Sequence, residues 1–233
     1  MTLVLHYAPD NASLIVRIVL EELGLAYSTR LVDRSQRAQD SAAYRSINPA
    51  GLIPALETPQ GVIFETGAIV LWLADRHGRM APAPDAPERG DFLKWLFFVS
   101  NTVHAGLRMT FYPEKYAGAE PSAQSALRAT LRARLRGDFH LLDTALVQSG
   151  DDYFGGDAPN VLDIYLAALM RWSALYPQGQ TGWFDIQSHP ALWEMAQALE
   201  QRPATRAAQR AEGLGPTPFT APSLANPPEG SAT

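Results

Sequence analysis

The 233-residue chain has no cysteine. A disulfide framework, a thiolate metal site and a cysteine nucleophile are thereby excluded. Charge is sparse and nearly balanced, with 24 acidic against 19 basic side chains and a net charge of −5. That balance favours solubility and argues against a polyanionic partner such as nucleic acid. Long apolar runs are also lacking: charges or prolines interrupt each one well short of the ~20 residues a membrane span needs. The residues up to Tyr7 have no basic region and too short an apolar stretch for a signal peptide. The five histidines are scattered without ligand spacing, so no metal is expected, and neither a G-x-G-x-x-G nor a P-loop is present. These absences leave a globular protein, expected in the cytoplasm. It is 46% hydrophobic and long enough to bury a sizeable core.

Leu3 to Tyr7 is a short β-rich run that stops at Pro9-Asp10-Asn11, a turn. From Ser13 to Leu23, residues Leu14, Ile15, Ile18, Val19 and Leu23 recur at helical spacing, and Gly24 supplies a stop. Ala26 to Val32 returns as a strand, completing a right-handed βαβ unit. A short helix at Ser41 to Ser46 and the turn Asn48-Pro49-Ala50-Gly51 lead to Ile53-Pro54-Ala55-Leu56, a strand with proline near its start. Gly61 to Phe64 pairs with it as a hairpin. Ala68 to Arg76 is a helix with Ile69, Leu71, Trp72 and Leu73 on or near its buried face.

Composition then divides the chain. Residues 1–79 form the α/β part, and 80–87, within a stretch holding three prolines, form a stiff linker. Residues 88–212 read as helix throughout, with one stripe of Phe92, Trp95, Leu96, Val99, Val103 and Leu107. A second stripe comprises Leu127, Leu131, Leu135, Phe139, Leu142 and Leu146, with Arg128, Arg132 and Arg136 on an opposite face that is solvated or a dimer contact. Val161 to Trp172 is apolar nearly all round, as in the middle of a bundle. Residues 213–233 carry five prolines and one charge and read as a flexible or draped tail.

The motifs Asn48-Pro49-Ala50-Gly51-Leu52-Ile53-Pro54-Ala55-Leu56, Phe64-Glu65-Thr66-Gly67-Ala68-Ile69 and Asn160-Val161-Leu162-Asp163 resemble the cytosolic glutathione transferase superfamily, nearest its beta-like and other bacterial classes. The run Ile15 to Gly24 is similar to that family's first helix. The resemblance covers all but the tail. It implies an N-terminal thioredoxin-like α/β domain with a mixed four-stranded sheet, a C-terminal all-α helical bundle, and a homodimer. Glutathione is the implied co-substrate. Pro54 would be cis, and Ile53 would pair its backbone with the cysteinyl part of glutathione like an added strand. Glu65 would meet the ammonium, and Thr66 the γ-glutamyl carboxylate at a helix start. Taken singly, Ile53-Pro54 also suits an edge-strand start, and Glu65-Thr66 an ordinary helix cap. The implied activity is addition of the glutathione thiolate to a small hydrophobic electrophile in detoxification. A non-catalytic glutathione-binding or protein-interaction module on the same fold is the alternative.

The chain departs from the pattern at the nucleophile. Ala12 stands where bacterial members of the resembled family carry cysteine. Three nearby groups remain to activate the thiol: Ser13 at the helix start is the first choice, Asn11 through its amide the next, and Tyr7 at the strand end the third, its register matching less well. Each has a structural alternative, as first-turn residue, turn residue and packing residue respectively. Val103-His104-Ala105-Gly106 resembles a helix in which a histidine faces the thiol, which makes His104 a donor, a pocket residue or a satisfied core histidine. Leu107, Arg108, Phe111, Tyr112 and Tyr116 are expected to shape the second-substrate pocket.

Overall fold

A computed structural model describes residues 2–149, Phe154 and 158–232. Strand β1 (Leu3–Tyr7), helix α1 (Ser13–Leu23) and strand β2 (Tyr27–Leu31) form the parallel unit. After α2 (Ala42–Arg45), strands β3 (Ala55–Thr58) and β4 (Gly61–Phe64) form the hairpin, and α3 (Thr66–His77) closes the α/β part. The sheet order is β2-β1-β3-β4, with β1 parallel to β2 and antiparallel to β3. This is a mixed four-stranded, thioredoxin-like sheet. Gly24 ends α1 at φ 68°, and its N–H reaches the Glu21 and Leu20 carbonyls.

The helical half comprises α4 (Arg89–Phe98), α5 (Ala105–Phe111), α6 (Glu114–Ala117), α7 (Pro121–Ser149), α8 (Val161–Leu175), α9 (Pro190–Glu200) and α10 (Pro203–Glu212). One π-helical stretch, Val99–His104, joins α4 to α5. Phe92, Leu96, Val99, Val103 and Leu107 of the first stripe are enclosed, while Trp95 is half-buried. At the start of α8, Asn160 Oδ1 accepts from the N–H groups of Leu162 and Asp163 at 2.7 and 3.3 Å. Asp163 Oδ2 accepts from the Asn160 N–H at 2.9 Å. This capping box satisfies donors that the first turn leaves free. Among the described residues, no helix is long and apolar enough to cross a membrane.

Packing departs from the sequence pattern in three places. Helix α1 is buried on nearly every side, including Val16, Arg17 and Leu20, because α3, α8 and α10 all pack on it. In α3 the enclosed apolar residues are Ile69, Val70, Leu73 and Ala74, with Leu71 and Trp72 only half-buried, as the 3.6-residue period requires. The arginines of α7 do not form one solvated face. Arg128 Nε donates to the Thr110 carbonyl at 3.1 Å and Arg132 donates to Gln180 at 3.3 Å, leaving Arg136 exposed.

The C-terminal residues lie against the body. Leu214 and Phe219 are each 1% exposed. The Asn226 N–H returns to the Gly213 carbonyl at 2.8 Å, and Glu200 accepts from the N–H groups of Phe219 and Thr220 at 2.8 Å.

Candidate functional site

Register brings three segments to one end of the sheet. His6 of β1 lies beside Ala55 of β3, and Ala55 beside Phe64 of β4. The residues just outside these positions are therefore the β1–α1 turn (Ala8 to Ala12), Ile53-Pro54, and Glu65-Thr66. Two strand spacings of about 4.8 Å separate the first from the last. An extended tripeptide covers a similar span of about 10 Å.

The middle segment is fixed by its approach. Tyr44 Oη and Asn48 Nδ2 both donate to the Leu52 carbonyl at 2.7 Å, and Gly51 takes φ 65°, which a side chain would resist. The Ile53–Pro54 peptide is cis. A second cis peptide, Tyr176–Pro177, lies at the end of α8 and had no counterpart in the sequence reading.

Glu65 is exposed and sits at φ 72°, ψ 117° immediately before α3. A non-glycine residue held there costs on the order of 1–3 kcal/mol, and such strain concentrates where backbone direction matters. Its carbonyl accepts from the Ile69 N–H at 2.9 Å, so the carboxylate is carried at the rim of the helix start. The first turn of α3 holds no acidic residue of its own. Its N–H groups and dipole are available to an incoming anion.

Thr66 is buried, with Tyr165 of α8 close enough for its side chain to act on that phenol. The Tyr165 hydroxyl meets His104 Nδ1 at 2.9 Å. Burial pushes Tyr165 above its ordinary range and pushes His104 down to about 4, with Arg108 adding to the latter. His104 is thus a neutral imidazole at pH 7, tilted against Trp172 at 5.6 Å and edge-on to Tyr165 at 5.6 Å. It ties the end of the Val99–His104 stretch to α8.

The three candidates for thiol activation are placed differently. Ser13 is fully enclosed; its hydroxyl donates to the Ala8 carbonyl at 3.0 Å and accepts from the Ala8 N–H at 3.2 Å. Tyr7 is also buried, with Arg17 at 4.6 Å over its ring and its hydroxyl donated to Glu229 of the tail. Burial, with that carboxylate, pushes its phenol above the usual range. Asn11 is only half-buried. Its Oδ1 accepts from the Ala12 N–H at 2.8 Å, and its amide nitrogen has no partner among the described residues.

Of the residues expected around a second substrate, Leu107 is wholly in the core. Arg108 donates to the Tyr116 hydroxyl at 2.7 Å, and Phe111 packs edge-on to Tyr176 at 6.4 Å. The Tyr112 hydroxyl accepts from Arg34 at 2.6 Å, and Arg34 also donates to the Ala232 carbonyl. Arg34 therefore bridges the loop after β2, the end of α5 and the tail. Sequence patterning missed it, along with Asp10, Tyr165, Trp172 and Tyr176. Arg171 did leave a signal, as an arginine inside a helix that is apolar nearly all round beyond its capping Asp163.

The family described as "Glutathione S-transferase, N-terminal domain" matches residues 12–76. Glutathione S-transferase GstB of Escherichia coli (strain K12) is 30% identical over 197 residues, covering 82% of this chain and 89% of that one. Glutathione S-transferase GstA of Escherichia coli O157:H7 is 28% identical over 214 residues, covering 90% and 98%. A sphingomonad glutathione S-transferase solved in complex with glutathione superposes with a TM-score of 0.72 at 30% identity, covering 91% of this chain and 100% of that one.

Proposed function

Since the chain belongs to the glutathione S-transferase family, we propose that it binds glutathione across the sheet end and adds the tripeptide's thiolate to a small hydrophobic electrophile. The observation that carries this is the register His6–Ala55–Phe64, which aligns the β1–α1 turn, Ile53 and Glu65-Thr66 over a tripeptide's length.

The γ-glutamyl carboxylate sits at the α3 N–H groups with Thr66, and the Glu65 carboxylate holds the ammonium. The backbone of Ile53 beside Pro54 pairs with the cysteinyl residue. The sulfur then lies at the β1–α1 turn. A free thiol ionises near ~8.5, so it needs help to ionise at neutral pH. Asn11 is the side chain free to donate to it, beside the start of α1. Ser13 and Tyr7 act behind it, by holding the turn. In the reaction the thiol proton leaves to solvent, the sulfur lone pair forms the C–S bond, and the leaving group departs with its bonding electrons. Arg108, Phe111, Tyr112 and Tyr116 wall the electrophile, with Leu107 beneath them and neutral His104 fixing Tyr165. The dimer expected of this family would use the exposed Val62 and Phe64 of edge strand β4 and Phe97 of α4, which a mass measurement in solution tests.

One observation favours a binding module instead: Ala12 offers only a methyl and the Ser13 hydroxyl is enclosed. Calorimetry with glutathione and conjugation of a generic aryl halide separate the two. Binding that is lost in Glu65→Ala, with turnover reduced in Asn11→Ala, supports the enzyme. Binding without turnover on any electrophile supports the module. A wild-type protein that binds no glutathione removes both.

A further inference from the structure

Beneath the β1–α1 turn lies a buried ionic cluster that the proposed reaction does not use. Asp10 is 4% exposed and adopts φ 48°. Its Oδ1 accepts from Arg171 Nε at 2.8 Å and from Trp172 Nε1 at 2.9 Å. Its Oδ2 accepts from Arg171 Nη2 at 2.9 Å and from the Tyr176 hydroxyl at 2.7 Å. The Asp10 N–H itself donates to Glu212 Oε2 at 2.8 Å.

Arg171 is 0% exposed, and its guanidinium is fully satisfied. Besides Asp10 it donates to three tail carbonyls, those of Leu214, Pro218 and Ser223, at 3.3, 3.0 and 2.9 Å. With its two bonds to Asp10, these employ all five guanidinium N–H groups. One side chain therefore nails the tail to the turn.

Stability alone is a weak reason for such a pair, because apolar packing of equal volume often stabilises as well. What a bidentate carboxylate adds is direction. The left-handed backbone at Asp10 sets the next peptide. There the Asn11 carbonyl accepts from the Leu14 N–H at 2.7 Å and Asn11 Oδ1 accepts from the Ala12 N–H at 2.8 Å.

We infer that Asp10 and Arg171, with the tail carbonyls that complete Arg171, are positioning residues that aim Asn11 and the start of α1 at the glutathione sulfur. This rests on the glutathione reading above. The tail is thereby part of the thiol-activating scaffold, although it supplies no group to the sulfur.

Two full-length variants test it. Tyr176→Phe removes one donor to Asp10 and keeps the ring. Asp10→Asn keeps size and tolerance of the left-handed backbone and removes the charge. Each is saturated with glutathione, and the ultraviolet absorbance of the bound thiolate is followed against pH, beside calorimetric affinity, melting temperature and aryl-halide conjugation. Affinity at pH values below the thiol titration is expected within about twofold of wild type, since the Glu65 end is untouched, and any further loss at higher pH tracks the titration. The thiol titration should move upward, with conjugation at neutral pH falling about tenfold for each pH unit moved and recovering at alkaline pH. Lower melting temperatures with an unmoved titration and pH profile in both variants would mean a merely structural cluster and overturn the inference. Should Asp10→Asn fail to fold, Tyr176→Phe alone decides by the same readouts. Wild-type protein without glutathione binding overturns both readings, whereas wild-type binding with unmoved variants overturns this one only.

Discussion

Replacing Glu212 by glutamine tests the electrostatics behind the site most sharply. Glu212 is 0% exposed at the end of α10, where Oε1 accepts from Arg17 Nε at 2.7 Å and Oε2 from the Asp10 N–H at 2.8 Å. Burial pushes its carboxyl from 4.5 up to about 7, against the downward pull of Arg17, and the neighbouring Asp10 charge adds to the rise. The unfolded chain releases this proton near 4.5, while the folded chain keeps it to about 7. Between those values the folded state binds more protons, so stability falls as pH rises. The contribution is fully present below pH 4.5 and lost above about 7. At about 1.4 kcal/mol for each pH unit of that window, ionised Glu212 costs ~3 kcal/mol. Glutamine does not titrate, but its amide nitrogen cannot accept, so one of the two donors loses its partner by a fixed amount at every pH. Urea melts are therefore expected to show Glu212→Gln gaining ~3 kcal/mol on wild type between pH 4.5–5 and pH 8, whatever its offset at the lower pH. A variant that instead loses ground to wild type as pH rises would refute the reasoning, since Arg17 would then be holding the carboxyl below its ordinary value.

His104 gives the opposite slope. It stays neutral in the folded state down to about 4, whereas the unfolded residue takes a proton near 6.5, so stability falls as pH drops through that window. The two slopes largely offset each other in wild type between pH 4.5 and 6.5. His104→Gln should expose the decline with rising pH due to Glu212, measured by urea melts at pH 4.5 and 6.5. Glu65→Gln keeps size and removes charge from an exposed position. Calorimetry should show glutathione affinity falling about 10–100-fold, as befits loss of a charge-assisted bond, with a melting temperature near wild type. Gly213→Ala places a Cβ 2.0 Å from the Asn226 carbonyl oxygen at φ 63°, so the Gly213–Asn226 closure must open. Limited proteolysis read by mass spectrometry should then cut within residues 214–232 faster than in wild type.

The βαβ unit, the hairpin and the capping box were legible because each is written in neighbouring residues. Gly24 stops α1, and Asn160 and Asp163 satisfy each other three residues apart. The full burial of α1 was not legible, because its second covering comes from α8 and α10, far along the chain. Arg171 was visible as an isolated charge, but its partner Asp10 is 161 residues away in what reads as an ordinary turn. The tail reads as featureless for a related reason. A proline-rich segment makes few backbone bonds of its own, and its unused carbonyls are what a buried guanidinium needs. Ser13 shows the limit on the site side. A serine at a helix start suits both a thiol donor and a turn clasp, and only the 3.0 Å bond to the Ala8 carbonyl assigns its hydroxyl to the turn.

On the glutathione reading proposed above, the cluster under Asp10 compensates for what position 12 lacks. A serine or tyrosine hydroxyl rides on rotatable bonds and can follow a sulfur that shifts by a fraction of an ångström. Backbone N–H groups at a helix start cannot, and the Asn11 amide is held by the bond its Oδ1 accepts from the Ala12 N–H at 2.8 Å, so the turn that carries them sets their direction. A chain with alanine at this position, and with Ser13 folded inward, therefore depends on the stiffness of the β1–α1 turn itself. That turn is held from three directions: Ser13 clasps Ala8, Glu212 takes the Asp10 N–H, and Arg171, Trp172 and Tyr176 grip the Asp10 carboxylate. A turn held only by apolar contact would keep the fold and let the donors swing, which is the difference the Asp10→Asn and Tyr176→Phe titrations read.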